Sequence, residues 1–159
     1  MSASNSVRRR LEAQGFSGLD DAAMEEVGPW LRWSPALCTM FMIAGVTLQS
    51  PAILWGLAAT AFLGTLLPFH PFDLLYNHGA RHLTGTRPLP HHGPQRRFAC
   101  GMASAWLVTT GWAFQSGAAM LGYALGIPLI LVAGLVSVTH ICIPSMIYNA
   151  LLRPRVAEA

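Results

Sequence analysis

The sequence predicts an all-α integral membrane protein with four transmembrane helices arranged as two tandem helical hairpins, on three observations. Hydrophobic residues make up 53% of the 159 residues and charged residues only 11%, with a mean hydropathy of +0.44. A soluble domain carries roughly 25% charged residues. The apolar residues also arrive in blocks, without the period of a half-buried helix or strand. Finally, the charges are sorted along the chain. All ten basic residues are arginines, at positions 8, 9, 10, 32, 81, 87, 96, 97, 153 and 155. They fall before the first apolar block, in the central loop and in the tail.

With four spans, those three segments share one side of the membrane. The connections around Gln49-Ser50 and from Gln115 to Ala119 carry no charge. The positive-inside rule therefore puts both termini and the central loop in the cytoplasm. The pI near 9.1 then reflects topology. Its expected partner is the lipid bilayer with its anionic headgroups, and no nucleic acid.

Residues 1–33 read as a cytoplasmic or interfacial amphipathic segment. Ser6 suits the cap of a short helix, and Asp20 the start of a second that carries Met24, Val27 and Trp30 toward one side. Arg8 to Arg10 lead into a polar stretch with no apolar core behind it, so no cleavable signal is expected. Trp30, Arg32 and Trp33 mark headgroup depth before the first block. With Arg81, Arg96 and Arg97 they are the expected lipid or partner contacts.

The four-span membrane domain covers 34–152, with spans at about 35–48, 52–69, 98–114 and 118–143, a cytoplasmic loop at 70–97 and a cytoplasmic tail at 153–159. The first two spans are short for a bilayer core that takes roughly 20 helical residues. Crossing and dipping back as a re-entrant hairpin both remain open for them. Pro128 should bend span four near Gly126. Gly122-x-x-x-Gly126 matches the close-packing motif of membrane helices, within faces otherwise rich in small residues.

The halves also read as one unit used twice. Cys38, Gln49-Ser50 and Pro71 to Tyr76-Asn77 are followed by Cys100, Gln115-Ser116 and Pro144 to Tyr148-Asn149. In each, a proline opens a short interfacial helix after the second span of a pair.

Three groups are candidates for chemistry. His70, His78 and His82 are metal candidates, with Asp73, His91 and His92 available to complete a site. Against them stand Gly79, which weakens any helix there, and the prolines beside His91-His92. The plain alternative is histidines bonded to backbone or lipid at headgroup depth. His140, the only histidine inside an expected span, is a candidate cofactor ligand to a haem or a chlorin through a neutral imidazole nitrogen. A structurally satisfied histidine is the bland reading there. Cys38, Cys100 and Cys142 share a depth at the cytoplasmic ends of their spans, and are candidate redox thiols or soft-metal ligands near His140 or His70. Their bland reading is three small buried hydrophobes.

Absences narrow the field. No span carries Asp or Glu, and no phosphate-binding glycine loop or serine-hydrolase motif is present. A hydrolase or a nucleotide-driven pump is not expected.

The strings HPFDLLYN, RHLTGTRPLP, RRFACG and CIPSMIY resemble an uncharacterised bacterial four-span membrane protein family, a domain of unknown function. The resemblance covers residues from about Gly28 to Leu152. It implies a compact protein of the bacterial inner membrane and supplies no catalytic residue.

The expectation is a non-catalytic accessory or scaffold subunit of a larger membrane complex, energy-converting or pigment-bearing, with other membrane subunits as partners. A membrane thiol-redox or metal-handling protein is the first alternative, and a small-solute transporter the second.

Overall fold

The computed structural model describes residues 5–16 and 18–152; the expected tail 153–159 lies outside them. Regular structure in the described residues is helical throughout. Two short helices, α1 (Asn5–Ala13) and α2 (Asp21–Val27), lead through a 3-10 turn at Trp30–Arg32 into α3 (Trp33–Thr47) and α4 (Pro51–Leu66). Next come α5 (Pro71–Leu75), a π-helical turn (Tyr76–Ala80) and α6 (Arg81–Thr84). The chain ends with α7 (Pro94–Gln115), α8 (Ala119–Thr139) and α9 (Ile143–Leu151).

The long helices coincide with the four apolar blocks, and their ends move for local reasons. The second stops at Leu66 rather than 69, because Leu67 precedes Pro68 and takes an extended conformation, φ −91° and ψ 156°. The third begins at Pro94, since proline suits a first turn, so Arg96 and Arg97 lie inside a helix. The fourth stops at Thr139, where His140 turns left-handed at φ 58°. Pro128 sits within α8, which continues past it as one helix.

Of the described helices, α8 is long and apolar enough to cross a membrane, and α4 with the segment after it passes only as a pair bent by 87°. α3 and α4, with 15 and 16 residues, reach about 23 Å against a hydrocarbon core of about 30 Å.

The four long helices form a bundle in which α3 and α7 each pack against both α4 and α8. Partner positions run antiparallel. Arg97 bonds the carbonyls of Thr65 and Leu66, Ser104 that of Ala58, and Trp55 that of Val108. Glycine lets the helices meet closely. A Cβ on Gly126 would lie 2.6 Å from Val46, and one on Gly122 2.5 Å from the Phe114 ring. The small-residue motif of α8 thus faces α3 and α7, around a core of Met42, Val46, Leu54, Leu57, Leu107 and Leu129. Every charged residue described lies toward one end of this bundle. The turns at the other end are joined by Gln49 Nε2 donating to the Tyr123 hydroxyl at 2.9 Å.

The N-terminal segment differs from expectation. It folds over the charged end of the bundle, burying Leu11, Phe16, Met24, Val27 and Leu31 with Tyr76 and Leu89. Asp20 caps α2 as its sequence suggests, accepting from the Ala23 amide at 2.7 Å. The segment is tied down by Asn149 Nδ2 donating to the Ala13 carbonyl (2.9 Å) and by an ion pair between Arg87 and Glu26 (3.1 Å). Trp30 and Trp33 flank Tyr76, with ring centroids 5.1 and 6.1 Å away. Apolar side chains that would otherwise seek lipid here find the loop 70–97 instead.

Candidate functional site

Two antiparallel hairpins bring the N-termini of α3 and α7 to the same end, and the start of α9 follows α8 back to it. That is why the three cysteines meet. Cys38 lies in the second turn of α3, Cys100 in the second turn of α7, and Cys142 is the N-cap of α9. All three are free, and all line one cavity of about 150 Å³ together with His70 and Arg96. Gln14 and Ser34 complete its polar end, while Met42, Leu57, Leu107 and Leu129 form the deeper apolar wall.

His70 is fixed by its neighbours. It caps α5, its Nδ1 accepting from the Phe72 amide at 3.3 Å and its own amide donating to Asp73 Oδ2 at 3.1 Å. Asp73 is buried and also accepts from the Ser34 hydroxyl. With Nδ1 occupied as an acceptor, the proton of the neutral ring is assigned to Nε2, which faces Cys38 Sγ at 3.8 Å. Gly64 makes room for this arrangement: a Cβ there would stand 3.0 Å from the His70 ring and 3.3 Å from Cys100 Sγ.

Arg96, expected at the rim as a lipid or partner contact, is instead 7% exposed. Its guanidinium stands over the Phe16 ring, 5.2 Å from the centroid, and no described carboxylate pairs with it. Its charge reaches the site's histidines. Burial first, and Arg96 second, push His70 and His92 down to about 4. Both ring nitrogens of His92 are buried without a hydrogen-bond partner. The result is a buried cation facing neutral imidazoles and thiols, with the buried Asp73 carboxylate acting on the same histidines in the opposite sense.

His140 does not present a ligand nitrogen. It caps α8 outside the helix, and its Nε2 accepts from Arg32 Nε at 2.8 Å. Burial, then Arg32, pushes it down to about 4, so the ring is neutral. The lone pair that a haem or chlorin metal would use is engaged by the guanidinium. Nor do the metal candidates converge. His70 is buried, whereas His78 is exposed, with Nδ1 at 3.0 Å from the Leu74 carbonyl, and His82 is exposed on α6. The π-helical turn between His78 and His82 breaks the register that one straight helix would give them. Among the described residues no three His, Cys, Asp or Glu side chains are grouped to hold a metal ion.

The remaining rim residues mostly serve the fold. Arg97 donates to the last carbonyls of α4 at 2.8 Å, and Arg10 to the Thr139 carbonyl of α8 at 3.0 Å. Helix C-termini leave such carbonyls without partners, and a guanidinium supplies several donors. Trp30 and Trp33 pack on Tyr76, and Arg81 is half-buried on α6. Sequence reasoning missed Gln14 and Ser34 as site residues. Only long-range packing brings them there.

Residues 28–153 match the family model described as "Domain of unknown function (DUF4395)". No curated protein and no solved structure matches the chain.

Proposed function

The chain belongs to the DUF4395 family, whose description names no activity, so its function has to be read from its own residues: we propose a four-span protein of the bacterial inner membrane that carries thiol–disulfide chemistry in the Cys38–Cys100–Cys142 cavity. The observation that carries this reading is the convergence. Cysteines 62 and 42 residues apart in sequence, on three helices, line one cavity with a histidine and a buried arginine. The thiol reading is taken over the accessory-subunit reading because the apolar side chains of the N-terminal segment, Leu11, Phe16, Met24, Val27 and Leu31, are used within the fold and not left for a partner.

Membrane placement rests on the bundle's outer surface. Met120 is 84% exposed, Val138 69%, Leu131 67% and Trp112 60%, and the apolar window of α8 is only 17% buried. Apolar side chains in that number on one belt suit lipid. The charged end is then cytoplasmic. Topology reporters inserted after Gln49 and after Ser116 should read periplasmic, and one inserted after Arg87 cytoplasmic. A cytoplasmic reading at both turns would end the four-span assignment.

In the proposed step, a cysteine thiolate attacks a small-molecule disulfide, forming a mixed disulfide and releasing one small thiolate. A second cysteine attacks the protein sulfur, closing a protein disulfide and releasing the second small thiolate. Two electrons pass to the small disulfide, and the two protons leave with its thiols. Burial opposes the thiolate, Arg96 and the Nε2–H of His70 are the groups placed to offset part of that cost, and the apolar wall keeps water from the intermediate. Cys100, on the helix α7 that packs against α9, whose N-cap is Cys142, is the assigned partner in the protein disulfide.

Oxidising the detergent-solubilised protein with a small disulfide should protect two of its three thiols from alkylation and lower the intact mass by two hydrogens. Cys100→Ser should abolish that. Three thiols that alkylate independently, with no protein disulfide in any condition, would reject the thiol reading.

A further inference from the structure

The thiol cavity is built for more than exchange between sulfurs. Beyond its polar end and its thiols the lining is apolar, and its volume is about 150 Å³. An apolar cavity of that size takes one six-membered ring. Trp106 lines it with its indole N–H already engaged, donating to the Leu125 carbonyl at 3.1 Å, so this side chain offers the cavity only apolar surface. The cavity also reaches the outside of the bundle. α7 and α8 meet where Trp106 bonds Leu125 and where the Phe114 ring lies against Gly122. Nearer the charged end, Met102 of α7 and Val132 and Val136 of α8 line the cavity and are themselves half-buried. A side passage between these two helices therefore opens on the face assigned to lipid.

The polar end holds donors that lack acceptors. Arg96 lines the cavity at 7% exposure, and its guanidinium has a contact with the Phe16 ring but no hydrogen-bond acceptor among the described residues. The Nε2–H of His70 has only Cys38 Sγ before it, at 3.8 Å. Asp73, the carboxylate of this cluster, accepts instead from the Ser34 hydroxyl and the His70 amide. A neutral oxygen acceptor would satisfy such donors without adding a second charge to an apolar cavity.

We propose that the electron acceptor of the thiol site is a membrane-soluble quinone of one ring. The ring lies against Trp106 and Leu129, one carbonyl oxygen accepts from Arg96 and His70, and the apolar tail leaves between α7 and α8. This rests on the thiol–disulfide reading and the membrane placement, and adds the chemical class of the acceptor and its route. A flavin or a haem has several joined rings and exceeds a one-ring volume. A lipid tail would fill the apolar part but leave the donors without an acceptor. In the step, the Cys100 thiolate adds to a ring carbon, and an electron pair moves onto the carbonyl oxygen nearest Arg96, which takes a proton. Cys142 then attacks the Cys100 sulfur. The S–S bond forms, the S–C bond breaks, and its electron pair returns to the ring, whose second oxygen takes the other proton. The two thiols have lost two electrons and two protons, and the quinone has become a hydroquinone. Small thiols reopen the protein disulfide by the exchange already described, run in reverse.

The test uses the reduced protein in lipid nanodiscs, without oxygen, and a fully substituted benzoquinone carrying a decyl tail. One hydroquinone should form per protein as two thiols become protected from alkylation, about 10-fold or more faster than with a free small thiol, because the reactants are held together. Cys100→Ala should form no hydroquinone yet still bind the quinone, read as quenching of tryptophan fluorescence that Trp106→Phe in the same background diminishes. In that background Arg96→Met should weaken binding about 10-fold, as expected for a lost charge-assisted hydrogen bond, and Arg96→Lys should recover part of it. Ala133→Leu, which narrows the ring site, should weaken it as well. Unfolding midpoints show that each variant is folded. If a small disulfide closes the protein disulfide while the quinone is neither bound nor reduced, the quinone inference is overturned and the thiol reading stands. If decanol, a tail without a ring, displaces the quinone as well as a second quinone does, the cavity is a lipid-tail pocket and the inference is again overturned. If the quinone binds but neither oxidant yields a protein disulfide, both fall together.

Discussion

Replacing Tyr76 by alanine should cost about 3–5 kcal/mol of stability, the usual range for truncating a fully buried aromatic. Tyr76 has no exposed surface and is the largest fully buried side chain among the described residues. Its ring lies between Trp30 and Trp33, within the cluster that joins the N-terminal segment to the loop. Its hydroxyl bonds the Thr86 hydroxyl. The two contributions separate by variant. Tyr76→Phe loses only the hydroxyl pairing, worth about 1 kcal/mol, and Tyr76→Ala loses the ring as well. Thermal unfolding in detergent measures both. Limited proteolysis between α1 and α2 should accelerate in the alanine variant, because Leu11, Phe16, Met24, Val27 and Leu31 lose the centre of the surface they pack on. An unfolding midpoint equal to wild type would mean that the N-terminal cap contributes nothing to the bundle's stability, contrary to the burial of Leu11, Met24 and Val27.

How much of this was legible follows from which interactions are local. Four apolar blocks became four long helices, because each helix satisfies its own backbone and needs no information from elsewhere. The proline-led helices after α4 and α8 were visible for the same reason. The convergence of the three cysteines at one end was readable too, since it depends only on where the apolar blocks end. Arg96 and Arg97 were not distinguishable. They are adjacent and identical in type, yet one points into the bundle and the other caps α4. Helical geometry separates neighbouring residues by about 100°, and which side faces inward depends on partners far away in sequence. The fold of α1 and α2 over the charged end was hidden likewise, because their partners, Tyr76 and Leu89, belong to a loop that reads as polar. His140 was misplaced by its apolar neighbours: composition carries the block to Ile143, and the left-handed residue that ends the helix leaves no trace in hydropathy.

Acid should destabilise the folded protein over a defined window. His70, His92 and His140 are each held near 4, against about 6.5 for a free histidine. Between those values the unfolded chain takes up protons that the folded chain does not, so stability rises with pH across the window and falls as pH drops. The contribution is complete above about pH 6.5 and is lost on descending to about 4. One pKa unit corresponds to about 1.4 kcal/mol, so the loss should be on the order of 3 kcal/mol for a single histidine. The three do not simply add, because all feel Arg96. The first cause at each is burial, and the charges facing them differ. His70 meets Arg96, Asp73 and His92; His92 meets Arg96, Asp73 and Arg97; His140 meets Arg32, Arg96 and Arg10. Arg96→Met therefore gives a sharper expectation than acid alone. Removing an unpaired buried cation should leave stability at pH 7.5 unchanged or raised, while the lost cation–π contact with Phe16 offsets part of that gain. The acid window should narrow without closing, since burial persists. Unfolding midpoints of wild type and Arg96→Met from pH 7.5 to 4 decide it, and a flat wild-type profile would show that these imidazoles are not neutral in the fold. A variant more stable than wild type but slower toward disulfides would identify Arg96 as a residue kept for chemistry at a cost in stability, the combination expected of a functional cation and not of a structural one.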